Sequence, residues 1–460
     1  MPRPQKIHIA GAGLVGSLLA VMLGNRGYDV SLIERRSDPR LVETESGRSI
    51  NLALAARGIA ALKAAGLMEK VKELLIPMKG RMLHLEGGSE VFSAYGQRPD
   101  EVIYSISRGD LNVLMMDKAE QSPPVNVQFN QKLETIDFER STFTARNLRS
   151  SDSHEQSFEL FIGADGAGSK TRRMLIPANG GHSTAEFLDH DYKELEIPAG
   201  PDASYQIDPN ALHIWPRGDF MLIALPNQNG SFTVTLFLPK EGPVSFQSLE
   251  NPASVRPFFE KYFPSAIHLI PNLMQDFADN PVGRLGTVRC SPWYQTDKAL
   301  ILGDASHAIV PFHGQGMNAG FEDCSELNRL LDKHDDDWTK VLPEFDRIRR
   351  PNAEAIADMA IENYTTMRSS VTDPKFQLKK EVGFELEKRF PDRFMPRYSM
   401  VMFHLIPYAD AFERGQQQRA ILNQLVEGKS SVDAIDFDLA KRLIQQQLLP
   451  MPLFTAEEET

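Results

Sequence analysis

Three glycines near the start of the chain stand at the spacing of a dinucleotide-binding turn. Gly11, Gly13 and Gly16 form the pattern G-x-G-x-x-G, and Glu34 ends the next apolar segment. Glycines at these positions let the backbone turn tightly and approach a pyrophosphate, while the acid accepts ribose hydroxyls. Arg35 follows the acid, and an arginine there could instead accept a 2′-phosphate. This end of the chain predicts a dinucleotide site and leaves FAD and NADP as alternatives.

A second set of residues, much later in the chain, favours FAD. Gly303 and Asp304 end a short apolar segment, and residues 311–318 (PFHGQGMN) open an apolar helix. An acid at the carboxyl end of a strand can bind a polyol, and N–H groups at a helix start can stabilise the negative charge of a reduced flavin. The predicted cofactor contacts are therefore Gly303 and Asp304, together with Pro311, Gly314, Gly316, Met317 and Asn318 of the loop.

A third motif lies between these two. Asp165 and Gly166 follow an apolar segment and precede basic residues at 170–173. The segment is superficially similar to a phosphate loop, but Ser169 stands where that motif requires lysine. In the company of the other two motifs, Asp165 is predicted to contribute to the cofactor site.

Apolar periodicity predicts the elements that position these motifs. Segments 6–10, 29–33 and 299–302 predict buried strands, and segment 17–24 predicts a helix. Short apolar runs between 179 and 284, broken by proline, glycine and asparagine, predict antiparallel strands with a hairpin turn at 226–230. From residue 338 onward the pattern is helical.

The predicted fold is α/β, with a Rossmann-like FAD-binding domain, an inserted antiparallel-sheet substrate domain and a C-terminal helical region. We predict the FAD-binding domain at residues 1–72, 105–178 and 285–345, the substrate domain at 73–104 and 179–284, and the helical region at 346–460.

Composition is that of an ordinary globular protein. The chain has 460 residues, 42% hydrophobic and 24% charged, and a formal net charge of -12, which argues against a nucleic-acid partner. It has only two cysteines, so a disulfide framework is not indicated and a reducing compartment is favoured. No apolar run approaches the ~20 residues of a membrane span. We therefore expect a cytoplasmic protein without a membrane anchor, and a homo-oligomer stays open.

The three motifs, in this order, resemble those of the single-component FAD-dependent aromatic hydroxylases. Further segments are similar to those of the kynurenine 3-monooxygenase family and narrow the resemblance to it. These segments are residues 47–54 (GRSINLAL), 80–82 (GRM), 95–96 (YG), 105–108 (SISR), 192–195 (YKEL), 210–216 (NALHIWP), 232–238 (FTVTLFL), 311–318 and 396–401 (PRYSMV). The resemblance runs from the N-terminus to about residue 401.

The resemblance implies that L-kynurenine is hydroxylated to 3-hydroxykynurenine. In such enzymes NADPH reduces FAD, O₂ is captured as a C4a-hydroperoxyflavin, and the aromatic ring attacks the terminal oxygen. Because the cofactor performs this chemistry, the protein must position the substrate and exclude water, and an acid–base residue is not required. NADPH is a co-substrate for which the sequence has no second fingerprint.

The resemblance also implies site residues. The carboxylate of the substrate would be held by Arg81, Tyr95 and Tyr398, and arginine suits this role because its planar group binds a carboxylate bidentately. Phe237 and Phe312 would flank the ring. The remaining expected substrate contacts are His313, Asn363 and Met367, and the remaining expected cofactor contacts are Arg48 and Arg108.

One position departs from the family pattern. Where the family commonly reads Asn-Tyr-x-Glu-Met, this chain has Thr366 in place of the glutamate. Loss of that charge could alter recognition of the substrate ammonium group. Two alternatives therefore stay open, namely a flavin hydroxylase of another aromatic acid and a flavoprotein that does not oxygenate a substrate.

Overall fold

The computed structural model describes residues 6–41, 51–122, 124–368 and 373–451. Its strands are β1 (Lys6–Ala10), β2 (Asp29–Ile33), β3 (Asn51–Leu54), β4 (Ile76–Met78), β5 (Gly80–His84), β6 (Glu90–Ala94), β7 (Ile103–Ser107), β8 (Val125–Gln128), β9 (Gln131–Asp137), β10 (Thr142–Asn147), β11 (Ser153–Ser157), β12 (Leu160–Gly163), β13 (His182–Ile197), β14 (Ala211–Arg217), β15 (Phe220–Pro226), β16 (Phe232–Pro239), β17 (Gly283–Ser291), β18 (Tyr294–Gln295) and β19 (Ala299–Ile301).

The α-helices are α1 (Leu14–Asn25), α2 (Ala56–Ala64), α3 (Met68–Val71), α4 (Arg108–Glu120), α5 (Lys170–Ala178), α6 (Val255–Tyr262), α7 (Leu273–Asp279), α8 (Asp304–His307), α9 (Gly316–Lys333), α10 (Trp338–Arg368), α11 (Pro374–Arg389), α12 (Arg397–Met402), α13 (Tyr408–Leu425) and α14 (Phe437–Gln447). The α/β class with a C-terminal helical region is confirmed.

A six-stranded sheet carries all three sequence motifs, in the strand order β18-β19-β12-β1-β2-β8. Strand β1 pairs in parallel with β2 and β12, and β12 pairs in parallel with β19. All but the first residue of β1 and of β2 are buried, as expected for parallel strands covered on both faces. The motifs follow β1, β12 and β19, so they meet at the carboxyl edge, where such sheets bind ligands.

The antiparallel region forms a seven-stranded sheet in the order β17-β13-β16-β15-β14-β5-β6. The predicted hairpin is confirmed, because β15 pairs antiparallel with β16. Strand β5, from the earlier chain segment, joins β14 in parallel, so the two predicted parts of the substrate sheet form one sheet.

Two small sheets were not predicted. One has the order β3-β7-β4 and the other the order β11-β10-β9. Strand β4 lies within the segment assigned to the substrate domain, yet it pairs with β7 at the edge of the FAD-binding segment. The three-domain division of the chain stays a prediction.

Helix α10 joins the C-terminal helices to the substrate sheet. Its residues Ile356 and Met359 pack in a core cluster with Tyr408 of α13. Further along the same helix, Tyr364 and Met367 are buried in a cluster that includes strand residues of the seven-stranded sheet. Helix α10 therefore packs both on the C-terminal helices and on the seven-stranded sheet.

Candidate active site

The glycine turn after β1 has the close backbone packing that its sequence predicts. Gly11 has φ +101°, and a Cβ there would lie 2.5 Å from the carbonyl oxygen of Ala164. A Cβ on Gly16 would collide with the carbonyl oxygen of Gly11, whereas one on Gly13 would meet no atom within 4 Å. Gly13 thus leaves open space beside its backbone, which suits the approach of a pyrophosphate to the start of α1.

Glu34 lies beside this turn, at the end of β2. Its Oε2 accepts a hydrogen bond of 3.0 Å from the backbone N–H of Ala12, and its Oε1 accepts one of 2.9 Å from Nε of Arg36. Burial raises the pKa of Glu34, but Arg36 more than offsets this, so the carboxylate stays ionised. Arg36 rather than Arg35 pairs with the acid, while Arg35 is exposed. A cofactor contact by Arg35 stays a prediction.

The two aspartates of the later motifs differ in their surroundings. Asp165 accepts hydrogen bonds from the backbone N–H groups of Lys170 and Thr171, at 2.8 and 3.0 Å, and therefore caps α5. Asp304 is exposed at the first position of α8, although Gly303 before it and Ala305 after it are buried. The carboxylate of Asp304 is thus available to a ligand at the sheet edge, while that of Asp165 is bonded to the start of α5, and its cofactor contact stays a prediction.

The loop at 311–318 brings a helix start to the same region. Gly314 has φ +67°, a left-handed conformation that favours glycine. Asn318 is fully buried, and its Nδ2 donates to the carbonyl oxygens of Ala53 and Gly314 at 2.8 and 2.9 Å. Its Oδ1 accepts from the backbone N–H of Ala55 at 2.9 Å. The side chain of Asn318 therefore fixes the loop against β3, and a cofactor contact by Asn318 stays a prediction.

These features fit FAD. The open space at Gly13 matches a pyrophosphate, and the carboxylate of Glu34 matches a ribose. The exposed carboxylate of Asp304 matches the polyol chain. The first N–H groups of α9, at Gly316 and Met317, are donors without intrahelical acceptors, as at every helix start. Of the other expected cofactor residues, Pro311 is exposed at the loop start, Arg108 is exposed at the first position of α4, and Arg48 lies outside the described residues.

The three residues expected to hold a carboxylate form one cluster. The guanidinium carbon of Arg81 lies 5.6 Å from the ring centre of Tyr95 and 5.3 Å from that of Tyr398. The two tyrosine rings stack with centroids 5.7 Å apart. Nε of Arg81 is buried without a hydrogen-bond partner. Burial raises the pKa of both tyrosines, so their hydroxyls stay neutral donors.

An aromatic wall lies near this cluster. The rings of Phe237 and Phe312 are 4.9 Å apart, and Tyr364 stacks on Phe312 at 4.0 Å. Asn363 donates a hydrogen bond of 2.6 Å to the carbonyl oxygen of Phe312, and this bond holds Phe312 in the aromatic wall. Met367 is buried in the same cluster. Tyr364 is a site neighbour that the sequence had not singled out.

His313 connects the aromatic wall to the carboxylate cluster. It is 7% exposed, and its ring stacks on Tyr398 with centroids 5.7 Å apart. Burial lowers its pKa to about 3, and the nearby charges of Arg397 and Arg81 act in the same direction. Its Nδ1 is buried without a partner. His313 is therefore neutral at physiological pH, with one nitrogen free to bond a ligand.

Comparison with known proteins decides the family. A sequence model of the FAD binding domain matches residues 5–218 and 285–360. The kynurenine 3-monooxygenase of Myxococcus xanthus is 44% identical over 97% of this chain and 96% of its own, and that of Stenotrophomonas maltophilia is 46% identical over 96% and 97%. This chain belongs to the kynurenine 3-monooxygenase family.

Solved structures agree with a flavin hydroxylase fold for this member of the kynurenine 3-monooxygenase family. Against 2-methyl-3-hydroxypyridine-5-carboxylic acid oxygenase the TM-score is 0.64, at 17% identity over 84% of this chain and 98% of that one. Against p-nitrophenol 4-monooxygenase from Pseudomonas putida it is 0.64, at 18% identity over 84% and 94%. Within the described ranges, no helix is long and apolar enough to cross a membrane.

A buried ionic network supports the cofactor motif in this kynurenine 3-monooxygenase family member. Asp323 of α9 accepts hydrogen bonds from the backbone N–H of Gly303 at 2.8 Å and from Nε of Arg349 at 2.7 Å. His307 lies 2.6 Å from the same carboxylate. Burial raises the pKa of Asp323, but His307 and Arg349 bring it below its ordinary value. No local sequence pattern marks this network, because its members come from separate segments.

Proposed function

We propose that this protein hydroxylates L-kynurenine to 3-hydroxykynurenine, consuming O₂, NADPH and a proton and releasing water and NADP⁺. The observation that carries the proposal is the position of Arg81 beside the stacked rings of Tyr95 and Tyr398, a cluster that His313 joins to the aromatic wall. A cationic cluster and an aromatic wall match the two ends of an aromatic amino acid.

The carboxylate end is bound by charge and directed donors. The guanidinium of Arg81 supplies the positive charge, and its buried Nε lacks an acceptor that a carboxylate oxygen would provide. The neutral hydroxyls of Tyr95 and Tyr398 can donate to the same group. Binding at this end fixes the position of the ring, which is what oxygen transfer to one carbon requires.

The ring end must be dry. Phe237 and Phe312 are 3% and 5% exposed, and Tyr364 and Met367 close the same cluster. FAD, when bound at the sheet edge, supplies the electrons taken from NADPH and the activation of O₂. The protein excludes water from that region, since water would divert the oxygen to hydrogen peroxide. His313, which is neutral and has an unpartnered Nδ1, would bond the ketone oxygen of the substrate.

The test is anaerobic reduction of the protein-bound flavin by NADPH, with and without L-kynurenine, followed by admission of ¹⁸O₂. We expect L-kynurenine to accelerate reduction and to yield a product heavier by one labelled oxygen. Formation of hydrogen peroxide alone would contradict the proposal. A panel of other aromatic acids, including anthranilate, tests whether Thr366 has redirected the site to a different substrate.

A cytoplasmic location is proposed as well. Both cysteines, Cys290 and Cys324, are free and buried. Free thiols are typical of a reducing compartment. Fractionation of cells that express the intact chain tests this, and recovery in the membrane fraction would contradict it.

A further inference from the structure

A lysine of α11 reaches the carboxylate-binding end of the site. Nζ of Lys380 donates hydrogen bonds of 2.6 Å to Oγ of Ser93 and 2.7 Å to the carbonyl oxygen of Ala94. Both acceptors lie in β6, the strand that pairs with β5. Lys380 thus ties the C-terminal helical region to the edge of the substrate sheet.

The register of this strand pair places Lys380 beside Arg81. Ser93 of β6 is directly opposite Arg81 of β5. Directly opposed residues of antiparallel strands have their side chains on the same face of the sheet. Since the ammonium group of Lys380 bonds the hydroxyl of Ser93, it lies on the face that carries the guanidinium of Arg81. Tyr95 follows directly after β6.

The two cations have no directly paired carboxylate in the described part of the chain, although the charge of Glu381 also acts on Lys380. Across the described ranges, neither Arg81 nor Lys380 forms an ion pair with a carboxylate, whereas buried Arg349 pairs with both Glu322 and Asp323. Burial, followed by the charge of Arg81, lowers the pKa of Lys380 to about 8. Bringing two like charges together away from water is unfavourable, and an anionic ligand would relieve that cost.

We propose that Lys380 is a specificity-determining residue that favours substrates with a carboxylate at the Arg81 end of the site. The proposal rests on the proposed hydroxylation of L-kynurenine. Lys380 acts by adding positive charge and by tying β6 to α11, while Arg81 and the tyrosine hydroxyls bind the carboxylate oxygens. Thr366 contributes no negative charge that would cancel this effect.

The experiment compares two ligands that differ only in the carboxylate. L-Kynurenine and kynurenamine, in which hydrogen replaces the carboxylate, are titrated into the oxidised FAD-bound protein, and flavin absorbance reports binding. Lys380→Met is expected to weaken L-kynurenine binding about tenfold or more and to leave kynurenamine affinity within about twofold. Lys380→Arg should restore most of the L-kynurenine affinity. Lys379→Met, the same change one position earlier on α11, is the control.

Each outcome is decisive. Equal weakening for both ligands would show that Lys380 only maintains structure and would overturn the proposal, as would unchanged L-kynurenine affinity in Lys380→Met or no recovery in Lys380→Arg. If the unmodified protein neither binds nor hydroxylates L-kynurenine, the proposed function fails and this inference fails with it. That result is distinguishable because it appears before any substitution is made.

Discussion

The phenol hydroxyl of Tyr408 donates a hydrogen bond of 2.6 Å to Oε1 of Gln315. Gln315 stands in the loop that opens α9, and Tyr408 begins α13 in the C-terminal helical region. The guanidinium carbon of Arg57 lies 3.9 Å from the ring centre of Tyr408. Nε of Arg57 in turn forms an ion pair of 2.9 Å with Glu322 of α9. The helical region is therefore attached directly to the cofactor loop.

Tyr408→Phe should destabilise the FAD-bound protein. The substitution leaves Oε1 of fully buried Gln315 without its donor, which costs about 1–2 kcal/mol. The free energy of unfolding in urea measures the effect, and FAD release on dialysis shows whether the loop has loosened. Tyr104→Phe is the control. Equal stability of Tyr408→Phe and the unmodified protein would mean that this hydrogen bond does not hold the loop.

Arg81→Met should weaken substrate binding while FAD remains bound. Removal of a charged partner of the carboxylate is expected to cost roughly 2–3 kcal/mol, or about 30- to 150-fold in the dissociation constant of L-kynurenine. Flavin absorbance titration measures it, with Arg140→Met at an exposed position as the control. An unchanged dissociation constant would remove Arg81 from the site.

Gly13→Ala should separate cofactor binding from folding. Because a Cβ at Gly13 meets no atom within 4 Å, the FAD-free protein should keep its melting temperature. The added methyl group lies where a pyrophosphate must approach the backbone, so FAD affinity should fall about tenfold or more. Gly87→Ala, which also has free space, is the control. Normal FAD affinity in Gly13→Ala would place the pyrophosphate elsewhere.

His313 should contribute to acid sensitivity. Its folded-state pKa of about 3 lies below the ordinary value of 6.5, so the unfolded chain binds the proton more tightly. The stability that the neutral ring confers is complete above pH 6.5 and is lost as pH falls toward 3. His313→Gln should therefore reduce the dependence of the unfolding free energy on pH, by up to about 1.4 kcal/mol per unit, between pH 6 and 4.

Urea unfolding at several pH values measures this difference. His268→Gln, at an exposed histidine, is the control, and His8 and His84 remain unchanged in both variants. Identical pH profiles for His313→Gln and the unmodified protein would show that His313 is not buried in its neutral form.

The sequence predicted the local features of the cofactor site well. Gly11 was identifiable because its backbone conformation and its approach to Ala164 admit only glycine. A position that admits one residue type can be recognised in the sequence itself. The parallel strands were identifiable from their apolar runs. The cluster of Arg81 with Tyr95 and Tyr398 came from the family resemblance rather than from periodicity.

Contacts between distant segments could not be predicted in this way. The bonds of Tyr408 to Gln315, of Asp323 to Gly303 and of Lys380 to Ser93 join residues with no fixed spacing. Each depends on how helices pack across the sheets, and packing of this kind leaves no repeat in the sequence. Asp165 accepts hydrogen bonds from two N–H groups at the start of α5, which the motif did not predict, and its contribution to the cofactor site stays a prediction.

The order of strands in the six-stranded sheet has a consequence for synthesis of the chain. Strand β1 is made first, but its neighbour β12 and then β19 follow only at residues 160 and 299. At ~5–20 residues per second, β1 waits roughly 15 to 60 seconds for the sheet to be completed. The predicted FAD site is therefore incomplete until residue 318 of the 460 has been synthesised. Until then the apolar strand edges need protection from other nascent chains, so a lower expression level, which lowers the concentration of incomplete chains, should raise the soluble fraction.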